Sequence, residues 1–276
     1  MTLLIDFHTH TNASDGELAP AALIARAREA GIAALAITDH DTLAGYHAAQ
    51  TADLSGIELV PGVEISCVWG GTTIHVVGLG FDPAAPAMVA ILQRLTLARN
   101  ERAVKIAERL AARNIPGALE GAQAIAGDSQ IGRPHFAQWM VAQGHVSNMN
   151  SAFDKYLGQG KIGDVKTFWP TLESAVTTIV ESGGLAILAH PLKYKFTRMK
   201  LNALCQDFKA LGGVALEVLN GRQTHDETAR LKQLANQWAL QASAGSDFHR
   251  DWQYGATLGV EAAIAGDMPA VWETLL

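Results

Sequence analysis

The chain has 276 residues, 49% apolar and 17% charged, with a formal net charge of −6 at pH 7. That length supports one large α/β domain or a core domain carrying an insert, and the apolar share excludes a long disordered tail or solvating linker. The acidic balance argues against a general nucleic-acid binder, which presents a basic face, but leaves room for a small phosphorylated substrate held by a local basic patch.

Taken in chain order, short apolar runs alternate with helical patterns. Leu3 to Phe7 predicts a buried strand. Pro20 to Ala30 predicts a helix, with proline in its first turn and Gly31 just past its end. Ala34 to Thr38 is the next strand and Leu43 to Thr51 the next helix; Ile57 to Pro61 and Thr73 to Leu79 are further strands. The rhythm breaks between Pro83 and Val165. Pro86 to Arg113 is one uninterrupted helical pattern, followed by helical stretches at Pro134 to Gln143 and Met149 to Leu157. Strands resume at Leu185 to Ala189, Val214 to Val218 and Leu240 to Ala244, each beside a helical segment. Repeated strand–helix units with apolar strands predict a parallel sheet covered by helices, closed into a distorted barrel of about seven strands. The expected division is a barrel from residues 1–82 and 166–276, with a helical insertion over 83–165 capping the active site.

The chemistry-bearing residues cluster at the ends of these strands. His8 and His10 follow the first strand as His-Thr-His, and residues two apart in an extended segment point the same way. Asp15 lies in the loop beyond. His40 follows the second strand in Thr38-Asp39-His40-Asp41, Glu64 follows the third in Pro61-Gly62-Val63-Glu64, and His75 lies in the next. His190 ends a strand in Ala189-His190-Pro191. Asp247 and His249 follow a late strand, again two residues apart. One such histidine is ordinary; two spaced pairs near opposite ends of the chain, plus His40, Glu64 and His190 at strand ends, point to a common metal centre at the face where parallel barrels build their sites. Imidazoles with carboxylates suit Mn²⁺, Zn²⁺ or Fe²⁺, and nine such groups suit two or three ions.

These elements resemble the PHP (polymerase and histidinol phosphatase) family of metallophosphoesterases. The matching motifs are Asp6-Phe7-His8-Thr9-His10, Asp15-Gly16, Thr38-Asp39-His40-Asp41, Pro61-Gly62-Val63-Glu64, His75, Ala189-His190-Pro191 and Gly245-Ser246-Asp247-Phe248-His249. Within the family, the helical insertion and Gly132-Arg133-Pro134-His135 look most like the stand-alone branch acting on nucleotide phosphates, including 3′,5′-nucleoside bisphosphates. The resemblance implies a distorted (β/α)7 TIM-like barrel, the PHP fold. It also implies two or three divalent ions, Mn²⁺ first. His8, His10, Glu64 and Asp247 would hold one ion; Glu64 would bridge to a second held by His75 and His190; Asp15, His40 and His249 would hold a third.

Around this centre, Arg133 and His135 flank Pro134 at a predicted helix start and are expected to bind phosphate, with Lys166 reaching the same anion. Lys193, Lys195, Arg198 and Lys200 form a basic stretch that is either a rim for a second phosphate or a solvated loop. Arg94, Arg99, Arg102, Lys105, Arg109 and Arg113 read as an exposed helix face. Asp39 and Asp41 read as partners for the outer N–H groups of the ligating imidazoles. The catalytic set is expected to be His8, His10, Glu64, Asp247 and His249, with water attacking phosphorus in line and no covalent intermediate.

The expected reaction removes the 3′-phosphate of a nucleoside 3′,5′-bisphosphate such as pAp. The alternatives are a 5′-to-3′ exonuclease on short RNA, a sugar or histidinol phosphate monoesterase, a metal-dependent amidohydrolase, and a metal-stabilised binding module without activity. Cys67 and Cys205 are the only cysteines and form no Cys-x-x-Cys pair, so buried free thiols in a reducing compartment are expected. No basic stretch followed by an apolar run opens the chain, and no apolar run approaches the roughly 20 residues of a membrane span. The expectation is a soluble cytoplasmic protein with a small nucleotide substrate, short oligonucleotides as a further class, and no stable protein partner.

Overall fold

The apolar runs fold into strands covered on both faces. The computed structural model describes residues 3–166, 168–251 and 255–276. Its strands are β1 (Leu4–Thr9), β2 (Ala34–Ile37), β3 (Glu58–Trp69), β4 (Thr72–Leu79), β5 (Leu185–Leu188), β6 (Ala215–Asn220), β7 (Gln241–Gly245) and β8 (Val260–Glu261). They make one sheet in the order β7-β6-β5-β4-β3-β2-β1-β8. Seven strands form the wall of a nearly closed barrel, and β8 adds a two-residue edge beside β1. β7 returns to β1 at the closing seam, where the Asp247 N–H donates to the His8 carbonyl (2.7 Å) and the His10 N–H to the Phe248 carbonyl (2.9 Å). Gly245 permits this approach, because a Cβ there would stand 2.4 Å from the His8 Cβ.

The sheet is not parallel throughout, as the strand–helix rhythm predicted. β3–β4 and β4–β5 are antiparallel, as is β8 on β1. The reason is local: β3 runs on past Pro61 to Trp69, and only Gly70 and Gly71, both with positive φ, separate it from β4. A two-residue turn can join only antiparallel neighbours. Helices α1 (Pro20–Glu29) and α2 (Ala44–Ala49) follow the first strands. Between β4 and β5 come α3 (Pro86–Ala111), α4 (Ala118–Ala126), α5 (Arg133–Ala142) and α6 (Met149–Ala152), the last running into a π-helical turn at Phe153–Leu157. Beyond them lie α7 (Leu172–Glu181), α8 (Arg198–Ala210), α9 (His225–Gln237) and α10 (Trp272–Leu275).

The 26 residues of α3 extend about 39 Å, enough to serve two cores. Met88, Ile91 and Leu95 pack into the barrel core, whereas Ile106 and Leu110 pack with Phe136, Met140 and Leu157 in a separate apolar cluster. The cationic face predicted for this helix is divided. Arg94, Lys105, Arg109 and Arg113 are exposed, but Arg99 and Arg102 are buried where α3 crosses from one core to the other. Arg99 donates to Asp41 through Nε (2.7 Å) and to the Ile131 carbonyl through Nη1 (3.1 Å). Arg102 donates to the Val165 carbonyl (2.8 Å), with its guanidinium 4.9 Å from the Trp169 ring centre. Among the described residues, no helix is long and apolar enough to cross a membrane.

Candidate metal centre and phosphate pocket

Backbone geometry at the strand ends turns the key side chains toward one point. His8 and His10 leave β1 fully buried. His190 (φ 28°) and Asp247 (φ 54°) both adopt positive φ, a conformation that costs a residue with a side chain and is held here by the surrounding packing. A bridge between His40 and Glu64 fixes the neighbouring loop.

The nine sequence-selected residues converge. His8 Nε2 and His10 Nε2 lie 3.1 Å apart, and Asp247 Oδ1 lies 3.5 and 3.3 Å from them. Glu64 sits at the middle. Its Oε2 is 3.4 Å from His10 Nε2 and 2.8 Å from His40 Nδ1, while Oε1 is 2.8 Å from both His75 Nδ1 and His190 Nε2. Asp15 completes the other flank, 3.4 Å from His249 Nε2 and 3.8 Å from His40 Nε2. Four overlapping sets have donor atoms close enough for one ion each: His10, Asp15, His40 and His249; His8, His10 and Asp247; His8, Glu64 and His190; and His40, Glu64 and His75.

The donor set fits cations. Ligands about 2.0–2.3 Å from a common ion stand roughly 3.0–3.5 Å from one another, and the His8–His10–Asp247 separations fall there. His10 Nδ1 and His190 Nδ1 are buried without a hydrogen-bond partner, a costly arrangement for polar atoms unless something else satisfies them. The electrostatics are those of a crowded site. Burial opposes the charge on Glu64, but His40, His75 and His8 hold its carboxyl well below the usual range. Asp15 is held low against burial by His40 and His249, and Asp247 by Lys193 and His8. Burial drives His10 down to about 3 and His75 down to about 4, keeping both rings neutral with lone pairs to donate. His249 rises to about 9, because Asp15 and then Asp247 outweigh its burial.

One supporting residue escaped sequence reasoning. Glu217 is fully buried on β6 and accepts hydrogen bonds from His8 Nδ1 (2.5 Å), the His190 backbone N–H (2.6 Å) and the Asn220 side-chain amide (3.0 Å). The available signal was an acid inside the apolar Val214-to-Val218 run. Asp39 and Asp41 do not take imidazole N–H groups as expected. Asp39 holds the loop after β1 through Thr11 Oγ1 and Ser14 Oγ (both 2.6 Å). Asp41 is engaged by Arg99 and by the Ser66 N–H (2.7 Å).

The proposed phosphate residues divide. Arg133 and Lys166 line a cavity of about 440 Å³ together with His40, Glu64, His75, His190, Asp247 and His249. Arg133 donates to the Leu157 carbonyl (3.0 Å), and Lys166 lies 3.0 Å from Asp164. His135 lies on another side: its Nδ1 accepts the Gly132 N–H (3.0 Å), and it borders a second cavity with Ser14 and Asp15. Of the basic stretch after His190, Lys193 lies against Asp247 at the site, whereas Lys200 packs over the Phe196 ring (4.2 Å), away from the histidines. Cys67 and Cys205 are buried and unpaired.

Comparison with known proteins agrees with this geometry. A PHP domain model matches residues 6–181. A 5′-3′ exoribonuclease of Haemophilus influenzae is 44% identical over 99% of both chains. A 3′,5′-nucleoside bisphosphate phosphatase of Chromobacterium violaceum is 40% identical over 98% of this chain and 96% of its own. The solved structure of an amidohydrolase from Chromobacterium violaceum, holding sulfate and no metal, superposes with a TM-score of 0.89 at 39% identity, covering 98% of this chain and 95% of that one. A barrel that gathers six imidazoles and three carboxylates around one centre, matched along its whole length by such relatives, belongs to the PHP-domain family of phosphoesterases.

Proposed function

We propose that this protein hydrolyses the ester bond between the 3′-oxygen of a 5′-phosphorylated nucleotide and the phosphorus attached to it. The observation that carries this reading is the single cavity in which the Glu64-centred cluster faces Arg133 and Lys166. The two activities named among the relatives share this bond. In pAp the phosphorus is a terminal 3′-phosphate; in RNA it also carries the next nucleotide. Either way the P–O3′ bond breaks, a P–O bond to water forms, a proton reaches the 3′-oxygen, and a 5′-monophosphate leaves. Removal of the 3′-phosphate of pAp is the minimal form of the reaction.

His8, His10, Asp15, His40, Glu64, His75, His190, Asp247 and His249 would hold two or three divalent ions, Mn²⁺ first. Such ions supply Lewis-acid charge that lowers the pKa of water and neutralises the non-bridging phosphate oxygens. Glu64 presents one oxygen to each side of the cluster, which suits a shared ligand. Asp247 and His249 border the cavity and would orient the phosphoryl group. Arg133 and Lys166 would bind the substrate's phosphate charge, and the low-dielectric wall around Arg133 strengthens that contact. His135 would act at one remove, by fixing the start of α5 through Gly132. Residues 83–165 would cap the site, since Arg133, Phe153, Gly158, Gln159 and Asp164 supply one cavity wall and help exclude bulk water.

The test is phosphate release from a panel of nucleotides with added Mn²⁺. pAp should yield AMP and phosphate, and nucleotides lacking a 3′-phosphate should yield none. Equal turnover of simple sugar phosphates, or no turnover of any phosphate ester, would overturn the reading.

A further inference from the structure

We propose that Lys193 is a further catalytic residue, the cation that meets the 3′-oxygen as it leaves phosphorus. This rests on the function proposed above and names the group that steadies its leaving oxygen.

The placement starts from the backbone. Lys193 sits in the short turn Pro191–Tyr194 that follows the proposed ligand His190, and its N–H donates to the His190 carbonyl (2.9 Å). Tyr194 pins that turn: its buried hydroxyl donates to the Ala189 carbonyl (2.8 Å) and accepts the His75 N–H (3.0 Å). The main chain at Lys193 is thus tied to the segments that carry His75 and His190. The side chain is free by comparison. It is 56% exposed, lines the catalytic cavity and pairs with Asp247.

Asp247 divides its carboxylate. Oδ1 faces His8 and His10, 3.5 and 3.3 Å from their Nε2 atoms, whereas Oδ2 takes the Lys193 ammonium. Among the described residues, Lys193 is the one lysine or arginine paired with a proposed metal ligand. The other cations of the cavity are anchored away from the cluster: Arg133 at the Leu157 carbonyl (3.0 Å), and Lys166 at the Gly71 carbonyl and Asp164 (both 3.0 Å). Their positions suit the 5′-phosphate; Lys193 stands at the reacting phosphorus. An ammonium has three donors. One is taken by Asp247, and two remain for a bound substrate.

The reaction has a use for them. The attacking water loses a proton to solvent and its oxygen joins phosphorus. The P–O3′ bond breaks, its electron pair collects on the 3′-oxygen, and a solvent proton ends there. A positive donor placed where that charge develops stabilises the transition state more than the bound substrate. Lys193 keeps its own proton throughout, so it supplies charge and a hydrogen bond, which arginine can also supply.

The experiment compares wild type, Lys193→Met and Lys193→Arg, each saturated with Mn²⁺, on pAp and on its analogue with sulfur in place of the bridging 3′-oxygen. A thiolate is a weaker base than an alkoxide and leaves with less help. Lys193→Met should lower kcat for pAp about 100-fold or more, the size of one lost transition-state donor, and kcat for the sulfur analogue less than about ten-fold. KM should change little. Lys193→Arg should restore most of the pAp rate. Calorimetric titration should find Mn²⁺ bound by Lys193→Met as tightly as by wild type or more so, since a cation beside the ions is gone. Near-wild-type kcat for pAp in Lys193→Met overturns the role, as does an equal loss on both substrates. So does weakened Mn²⁺ binding with the rate recovered at high Mn²⁺, which makes Lys193 a support for Asp247 alone. Each of these leaves the proposed function standing. That function falls, and Lys193 with it, if wild type releases no phosphate from pAp.

Discussion

Replacing Glu217 probes the support beneath the metal centre without touching any proposed ligand. Its carboxylate is the acceptor for three buried donors, on His8, His190 and Asn220, at 2.5, 2.6 and 3.0 Å. Glu217→Ala strands all three. At about 1–3 kcal/mol for each unsatisfied buried group, partly relieved by water entering the space, the loss should be about 3–5 kcal/mol. That is a large part of the roughly 5–15 kcal/mol that holds a domain together. Glu217→Gln keeps one acceptor but aims an NH₂ at a donor, so it should cost less while still releasing the His8 or His190 orientation. Freeing a ligand's outer hydrogen bond typically lowers metal affinity about 10–100-fold. Urea denaturation of chelator-treated protein reads the first quantity, and calorimetric titration with Mn²⁺ reads the second. The pH dependence has a definite sign. Burial disfavours the His8 imidazolium, but Glu217, Asp247 and Glu64 raise its pKa well above 6.5 in the folded protein. The stabilisation is therefore complete below about pH 6.5 and is lost as pH rises through the folded value. The metal-free difference between wild type and Glu217→Gln should shrink in that direction. Wild-type stability and wild-type Mn²⁺ affinity in Glu217→Ala would refute the reasoning.

Arg99→Met should destabilise the fold by about 3–5 kcal/mol, because it leaves Asp41 as a buried charge without its partner; urea midpoints against wild type measure it, and a shift near zero would contradict the burial of that pair. Both thiols should resist a disulfide reagent at neutral pH in native protein and react together in denaturant, since burial raises Cys67 and pushes Cys205 up to about 12. Alanine at His8 or at Asp247 should abolish turnover while the circular dichroism spectrum persists, and near-native kcat in either variant would remove that residue from the site.

The sequence by itself determined most of the strands and the polar residues near their ends, although Glu64, expected just past a strand ending at Pro61, lies within the longer β3. Apolar runs such as Ala34–Ile37 and Leu185–Leu188 must be buried, and a polar residue placed just beyond a buried strand has few places to go except the barrel mouth. Paired positions such as His8 and His10 share a face by strand geometry alone, so their side of the sheet was legible before any fold was known. Only the tertiary structure decided the rest. A periodic row of arginines on α3 carries no mark of which members cross an interface, so burial of Arg99 and Arg102 depended on where the second apolar cluster docks. Glu217 looked like one acid in an apolar strand; its role exists only because β6 lies beside the loop carrying His190 and across the barrel from His8. Asp41 likewise finds Arg99, 58 residues away, rather than a neighbouring imidazole. Local periodicity fixes which way a side chain points, whereas its partner is set by contacts between segments far apart in the chain.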